Sequence, residues 1–418
     1  MNLIAVIILS ALLIDTLLDF ISSRLNLKSM SVKLPEEFSD VYDGKSYAES
    51  QLYTGIRTRF GWLVSGTDLF LLLLFWFAGG FNWLDQWARS FDLGVIWTGL
   101  MFIGVLVVAK TILFMPFTIY STFVIEERFG FNKTTIQTFI TDRLKGALLS
   151  IVIGAPLLAA VIAFFEYGGQ WAWAYAWLAV TLFSLMMQYV APTWIMPIFN
   201  KFEPLGEGEL REAIEAYAKK VDFPLQGIYV MDGSKRSSKS NAFFTGFGKN
   251  KRIALFDTLI EKHTTDELVA VLAHEIGHSK EKHIVKNMGI SILHTGVVFA
   301  LLSVFLQVPA LFDAFYMEQM SVYAGLLFFG LLYSPVETVL GIGMQILSRK
   351  HEYEADRFAA KTTGKPEEMI NVLKKLSKDN LSNLTPHPFY VFLNYSHPPA
   401  LSRIHSIRKE FQESSAHH

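Results

Sequence analysis

The 418-residue chain contains no cysteine, which excludes structural disulfides, thiolate metal sites and a cysteine nucleophile together. It has almost no net charge: 37 Lys and Arg against 38 Asp and Glu leave −1. No global field draws it to nucleic acid, and no nucleic-acid partner is expected. Internal repeats and low-complexity segments are absent. Charged residues make up only 18% of the chain, whereas 51% is hydrophobic and Phe alone occurs 35 times. That balance is unusual for a soluble domain, so a lipid bilayer is the expected surrounding.

A bilayer core takes about 20 mostly apolar residues per helix, and seven stretches qualify: 2–20, 62–81, 95–119, 146–166, 173–194, 288–308 and 321–347. The first carries Asp15 and Asp19 and lacks a basic start and a small-residue cleavage site, so it reads as a retained span. Lys and Arg set the orientation. Arg24, Lys28, Lys33, Lys45, Arg57 and Arg59 fill the loop after the first span, and Arg128, Lys133, Arg143 and Lys145 the loop after the third. The alternate loops hold only Arg89. The positive-inside rule then puts the basic loops, segment 195–287 and the C-terminal tail in the cytoplasm. Trp171, Trp173, Tyr175 and Trp177 suit an interfacial aromatic belt.

The expected organisation is transmembrane helices one to five with their loops over 1–194, a first catalytic piece over 195–287, helices six and seven over 288–347, and a second catalytic piece over 348–418. Together the two polar pieces are long enough to share one core. Asp15, Asp19, Asp68, Lys110, His294 and Glu337 fall inside spans, where charge is costly. Buried ion pairs, such as Asp68 with Lys110, and a water-filled cavity are both open readings.

The chemistry sits in Val271-Leu272-Ala273-His274-Glu275-Ile276-Gly277-His278. On a helix, residues four apart share a face, so both imidazoles can reach one ion with Glu275 beside it as general base. A bare HExxH arises by chance in many proteins, but the preceding Asp266-Glu267-Leu268 and the apolar residues before His274 fit an amphipathic helix. A catalytic Zn2+ takes three protein ligands and one open position. The third ligand is expected after the last span, in His351-Glu352-Tyr353-Glu354-Ala355-Asp356, where Glu352 and Asp356 lie one turn apart on one face. Glu354 points about 200° away around the helix, and its replacement is expected to change little. Glu352 is the expected ligand, and Asp356 the acceptor that orients a ligand histidine. The competing reading of this stretch is an exposed charged helix with ordinary salt bridges. His417 and His418 are set aside from the metal argument.

With these residues in place, the sequence resembles the type I CAAX prenyl proteases, a family of membrane zinc metallopeptidases. The resemblance runs through Glu126–Lys133, Ser240–Gly246, the HEIGH motif at 274–278, Glu352–Ala359 and Tyr395-Ser396-His397-Pro398-Pro399. It implies seven transmembrane helices enclosing a chamber, with a mainly α cytosolic catalytic domain of zincin type carrying a small β element. It also implies one zinc held by His274, His278 and Glu352, with Asp356 behind them and Asn241 and His397 near the substrate or the developing oxyanion. A lone histidine before proline and an asparagine in a turn also have ordinary structural roles. The stretch 241–246, followed by Ile253-Ala254-Leu255-Phe256, reads as a sheet edge that could pair with an extended peptide.

The expected activity is hydrolysis of peptide bonds near the C-terminus of a peptide or protein substrate, with CAAX lipidation left open, by a monomer. Compact termini suggest a bacterial chain and hence an inner membrane; a eukaryotic chain would place it in the endoplasmic reticulum. Two rivals are a quality-control protease resembling the heat-shock membrane proteases, whose chains have fewer spans, and a transporter with a structural zinc.

Overall fold

Hydrocarbon forces a backbone to satisfy its own hydrogen bonds, and a helix does so within one segment. The computed structural model describes residues 1–245 and 251–415. Gly246, at the end of the stretch expected to pair with a peptide, and His417 and His418 lie outside them. Among the described residues, seven helices are long and apolar enough to cross a membrane. In chain order α1 (Leu3–Ser29), α2 (Gly44–Phe77), α3 (Val95–Glu126), α4 (Ile136–Tyr167) and α5 (Gly169–Phe199) cross first. The polar helices α6 (Glu209–Lys220) and α7 (Thr265–Lys280) follow. Then α8 (His283–Phe305) and α9 (Val322–Thr363) cross, and α10 (Pro366–Asp379) and α11 (Ala400–Ser415) complete the chain. Several of these helices outrun their apolar stretches. The polar C-terminal turns of α9 are continuous with the span, so its charged end is held rigidly.

The β element is a four-stranded sheet of β1 (Phe202–Pro204), β2 (Leu225–Met231), β3 (Ala242–Thr245) and β4 (Lys251–Phe256), in the order β1-β2-β4-β3. Strands β2 and β4 run parallel, with Ile228 beside Ile253 and Val230 beside Leu255. Strand β3 pairs antiparallel with β4 and, among the described residues, has no strand on its other side, which makes it an edge.

Two cores hold the molecule. One gathers Ile214 and Tyr217 of α6, Ile253 and Leu255 of β4, Leu268, Leu272 and Ile276 of α7, Ile370 and Leu373 of α10 and Ile404 of α11. Both polar pieces of the sequence therefore share it, and Phe38, Tyr42 and Tyr47 from around the α1–α2 connection join them. Each such fully buried apolar side chain contributes about 1.5–3 kcal/mol. The second core ties the opposite ends of the spans together through Ile8, Trp76, Phe81, Phe315 and Phe328. There the Trp76 indole donates to the Ala314 carbonyl at 2.7 Å. Within the spans, Lys110 pairs with Asp68 at 2.7 Å while both side chains stay exposed.

Candidate active site

Helix α7 starts on a capping box. The Glu267 amide donates to the Thr264 hydroxyl at 3.3 Å, and the Thr264 amide donates to the Glu267 carboxylate at 3.0 Å. Two orphan donors of the first turn are thereby satisfied. Lys375 of α10 lies 2.7 Å from the same carboxylate, fixing the start of α7 against its neighbour. With Leu268, Leu272 and Ile276 in the core, the i, i+4 spacing puts His274 and His278 on the flank facing α9. Gly277 sets how closely the helices meet. A Cβ there would lie 3.1 Å from the Ala355 Cα and 3.2 Å from its carbonyl oxygen. With no side chain on Gly277 and only a methyl on Ala355, α9 comes close enough for Glu352 to reach both histidines.

Three side chains converge. His274 Nε2 is 3.5 Å from Glu352 Oε2, His278 Nε2 is 3.3 Å from Glu352 Oε1, and the two Nε2 atoms are 3.2 Å apart. Whether a metal fits is decided by proton bookkeeping. His274 turns Nδ1 to Asp356 Oδ1 at 2.9 Å; a proton held there leaves Nε2 a bare acceptor. Glu352 Oε2 is buried without a hydrogen-bond partner, with Arg403 Nη1 at 3.3 Å. Carboxylate oxygens and imidazole nitrogens thus converge on one spot, where a cation can take the place of a shared proton. Two nitrogens and a carboxylate are the donor set of a borderline divalent ion such as zinc.

Behind them, Arg403 of α11 grips Asp356 with two bonds, Nε to Oδ2 at 2.7 Å and Nη2 to Oδ1 at 2.5 Å. Burial opposes charge on His274, but Asp356 and Glu352 outweigh it and hold its pKa above the usual imidazole range, so without a metal they favour a second proton on Nε2, which a bound cation would displace. Arg403 is likewise buried, and the carboxylates of Asp356, Glu352 and Glu275 push its pKa up despite the desolvation.

Glu275 is half-buried next to His274 on the same turn. His397 reaches in from the tail, Nε2 3.3 Å from Glu352 Oε1, while its side chain stays 65% exposed. Its loop is held by Arg349, which donates to the carbonyls of Val391 and Tyr395. Asn241 is exposed just before β3, and its carboxamide oxygen accepts from the Ala242 amide at 2.9 Å. No described contact ties it to the histidines. The structure therefore brings together His274, His278, Glu352, Asp356 and His397, with Glu275 alongside.

Two features escape a reading of the sequence. Arg403 carries no motif of its own, although two carboxylates buried together call for a cation. Glu354 and His351 do turn away from the three converging ligands, as helix geometry expects, but they are not idle. They form a second group with His283, whose Nδ1 lies 3.0 Å from His278 Nδ1.

Comparison with known proteins agrees with this architecture. Residues 23–201 match the family model described as CAAX prenyl protease N-terminal, five membrane helices, and residues 204–411 match Peptidase family M48. A CAAX prenyl protease 1 homolog of Oryza sativa subsp. japonica is 37% identical over 90% of this chain and 90% of its own length. CAAX prenyl protease 1 of Saccharomyces cerevisiae is 34% identical over 93% of this chain and 91% of its own. The crystal structure of S. mikatae Ste24p superposes with a TM-score of 0.92 at 32% identity, covering 97% of this chain and 99% of that one.

Proposed function

This chain belongs to the M48 peptidases of the CAAX prenyl protease type and is a multi-pass membrane metallopeptidase; on that premise we propose that it holds one Zn2+ on His274, His278 and Glu352 and cleaves C-terminal CAAX-type peptides. The observation that carries this reading is the convergence of two imidazole nitrogens and a carboxylate on one spot. Bound there, zinc supplies a Lewis acid that activates a water and polarises the scissile carbonyl. The chain's own groups do the rest. Glu275, beside the ligands and not one of them, takes the water proton and returns it to the leaving amine. His397, exposed at the rim, donates to the oxygen on which negative charge develops. Asp356, fixed by Arg403, keeps the His274 proton on Nδ1.

The open side of β3 offers backbone donors and acceptors to an extended substrate, and Asn241, next to that edge, orients the peptide. The relatives named as CAAX prenyl proteases suggest a prenylated C-terminus as substrate. The paired but exposed Asp68 and Lys110 then face a water-filled chamber among the spans. All the ligands come from one chain, which supports a monomer, and the Lys and Arg distribution supports a catalytic side in the cytoplasm.

The test is zinc content and cleavage rate on farnesylated and unmodified CAAX peptides, before and after chelation and zinc restoration. Glu352→Ala should lose both zinc and activity. A fully metallated, active Glu352→Ala enzyme would sink the assignment. A reporter fused after residue 418 should be cytoplasmic and one within 309–320 on the opposite side.

A further inference from the structure

His274 has an evident support, Asp356 on Nδ1. His278 needs one too, because a ligand imidazole free to rotate or change tautomer binds metal poorly. Its Nε2 faces His274 Nε2 and Glu352 at 3.2 and 3.3 Å, so as a ligand it carries its single proton on Nδ1. That Nδ1 faces His283 Nδ1 at 3.0 Å. Only one of the two nitrogens can hold the shared proton, and His278 already does, so His283 Nδ1 is the acceptor. The His283 proton then sits on Nε2, which lies 2.8 Å from Glu354 Oε2. An ionised carboxylate only accepts, and every N–H in the row meets an acceptor. Lys350 lies 3.8 Å from Oε1, leaving Oε2 to His283. The His351 ring stacks on His283 at 3.9 Å, which holds the imidazole flat.

The same three residues, His283, His351 and Glu354, have ligand atoms close enough for a second ion. The 2.8 Å His283–Glu354 contact is the length of a charge-assisted N–H···O bond, and an ion at that spot would have to displace its proton. The geometry favours the proton.

We infer that Glu354 and His283 form a positioning relay that fixes the tautomer and ring orientation of His278. They do for the second histidine of the motif what Arg403 and Asp356 do for the first, with an imidazole inserted between carboxylate and ligand. This rests on the zinc assignment proposed above.

The experiment measures the zinc dissociation constant by chelator competition, and the visible spectrum of the Co2+ form, on the purified full chain. Glu354→Ala and His283→Phe should weaken zinc binding roughly 10–100-fold and shift the Co2+ bands, as loss of an outer support does. Glu354→Gln keeps an acceptor oxygen and should recover most of the affinity. His351→Phe keeps a stacked ring without nitrogen and should match the parent. Unchanged affinity in Glu354→Ala and His283→Phe, with zinc still lost in Glu352→Ala, would overturn the relay alone. A second equivalent of zinc abolished by His351→Phe would overturn it in favour of a second metal site. A parent protein that binds no zinc would overturn both the relay and the zinc assignment.

Discussion

The two histidines of the HExxH helix are supported in unlike ways. Behind His274 stand Asp356 and Arg403, 1% and 9% exposed, an ion pair sealed between α7, α9 and α11. Behind His278 stand His283 and Glu354, with the carboxylate half-exposed at the margin of the lobe. The first arm joins elements that meet in the core of the lobe and so bears on stability as well as on the metal. The second hangs on the opposite face of α9, with His283 buried but its carboxylate only half-buried, and so bears less on stability than on the metal. A carboxylate that supports a ligand histidine, directly or through a second imidazole, thus has different consequences in the two arms, because burial decides how much an unpaired partner costs.

The largest expected effect lies in neither arm. Glu275→Gln leaves every ligand and both supports in place and should retain zinc while losing about 10²–10⁴ in turnover. Near-normal turnover of CAAX peptide would remove Glu275 from the chemistry.

The contrast between the arms is sharpest in Asp356→Ala. It should weaken zinc binding roughly 10–100-fold and also destabilise the fold by up to about 3–5 kcal/mol, because the buried Arg403 loses the carboxylate that grips it with two bonds and keeps only Glu352 at 3.3 Å. Replacing the pair together, Asp356→Leu with Arg403→Met, should restore much of the stability but not the zinc affinity. Glu354→Ala should cost less, about 1–3 kcal/mol, since it leaves a single neutral N–H of the buried His283 without its acceptor rather than a buried charge. Denaturant unfolding of the metal-free variants reads this directly, and equal stability losses in the two arms would erase the distinction.

The smallest effect tests the support that both arms share, the start of α7. Burial works against charge on Glu267, but Lys375 and the Thr264 amide outweigh it and lower its pKa. Burial also lowers that of His263. In both cases the folded state binds protons less readily than the unfolded one. Stability is therefore full above the ordinary imidazole range, declines as His263 would protonate, and declines further as pH falls below the usual carboxylate range and through the lowered pKa of Glu267. Glu267→Gln should cost about 1 kcal/mol near neutrality and flatten the lower part of that decline. Thermal unfolding across pH checks it, and an unchanged acid profile would remove Glu267 from the balance.

What the sequence determined by itself was local. Apolar runs of bilayer length become the seven crossing helices, because a span is defined by its own composition. His274 and His278 share a face, and Glu352 shares one with Asp356 away from Glu354, because a helix places side chains by spacing alone. Spacing does not say what stands opposite a face. The close approach at Gly277, the arrival of Arg403 from α11, the placing of His397 beside Glu352 and the meeting of His278 with His283 and Glu354 all join segments remote in the chain or turned by a helix junction. The same holds for Asn241, at the border of β3 and tied by no described contact to the histidines. Only the packed lobe decided these, since a helical period fixes the direction of a side chain about its own axis but not the neighbour it meets.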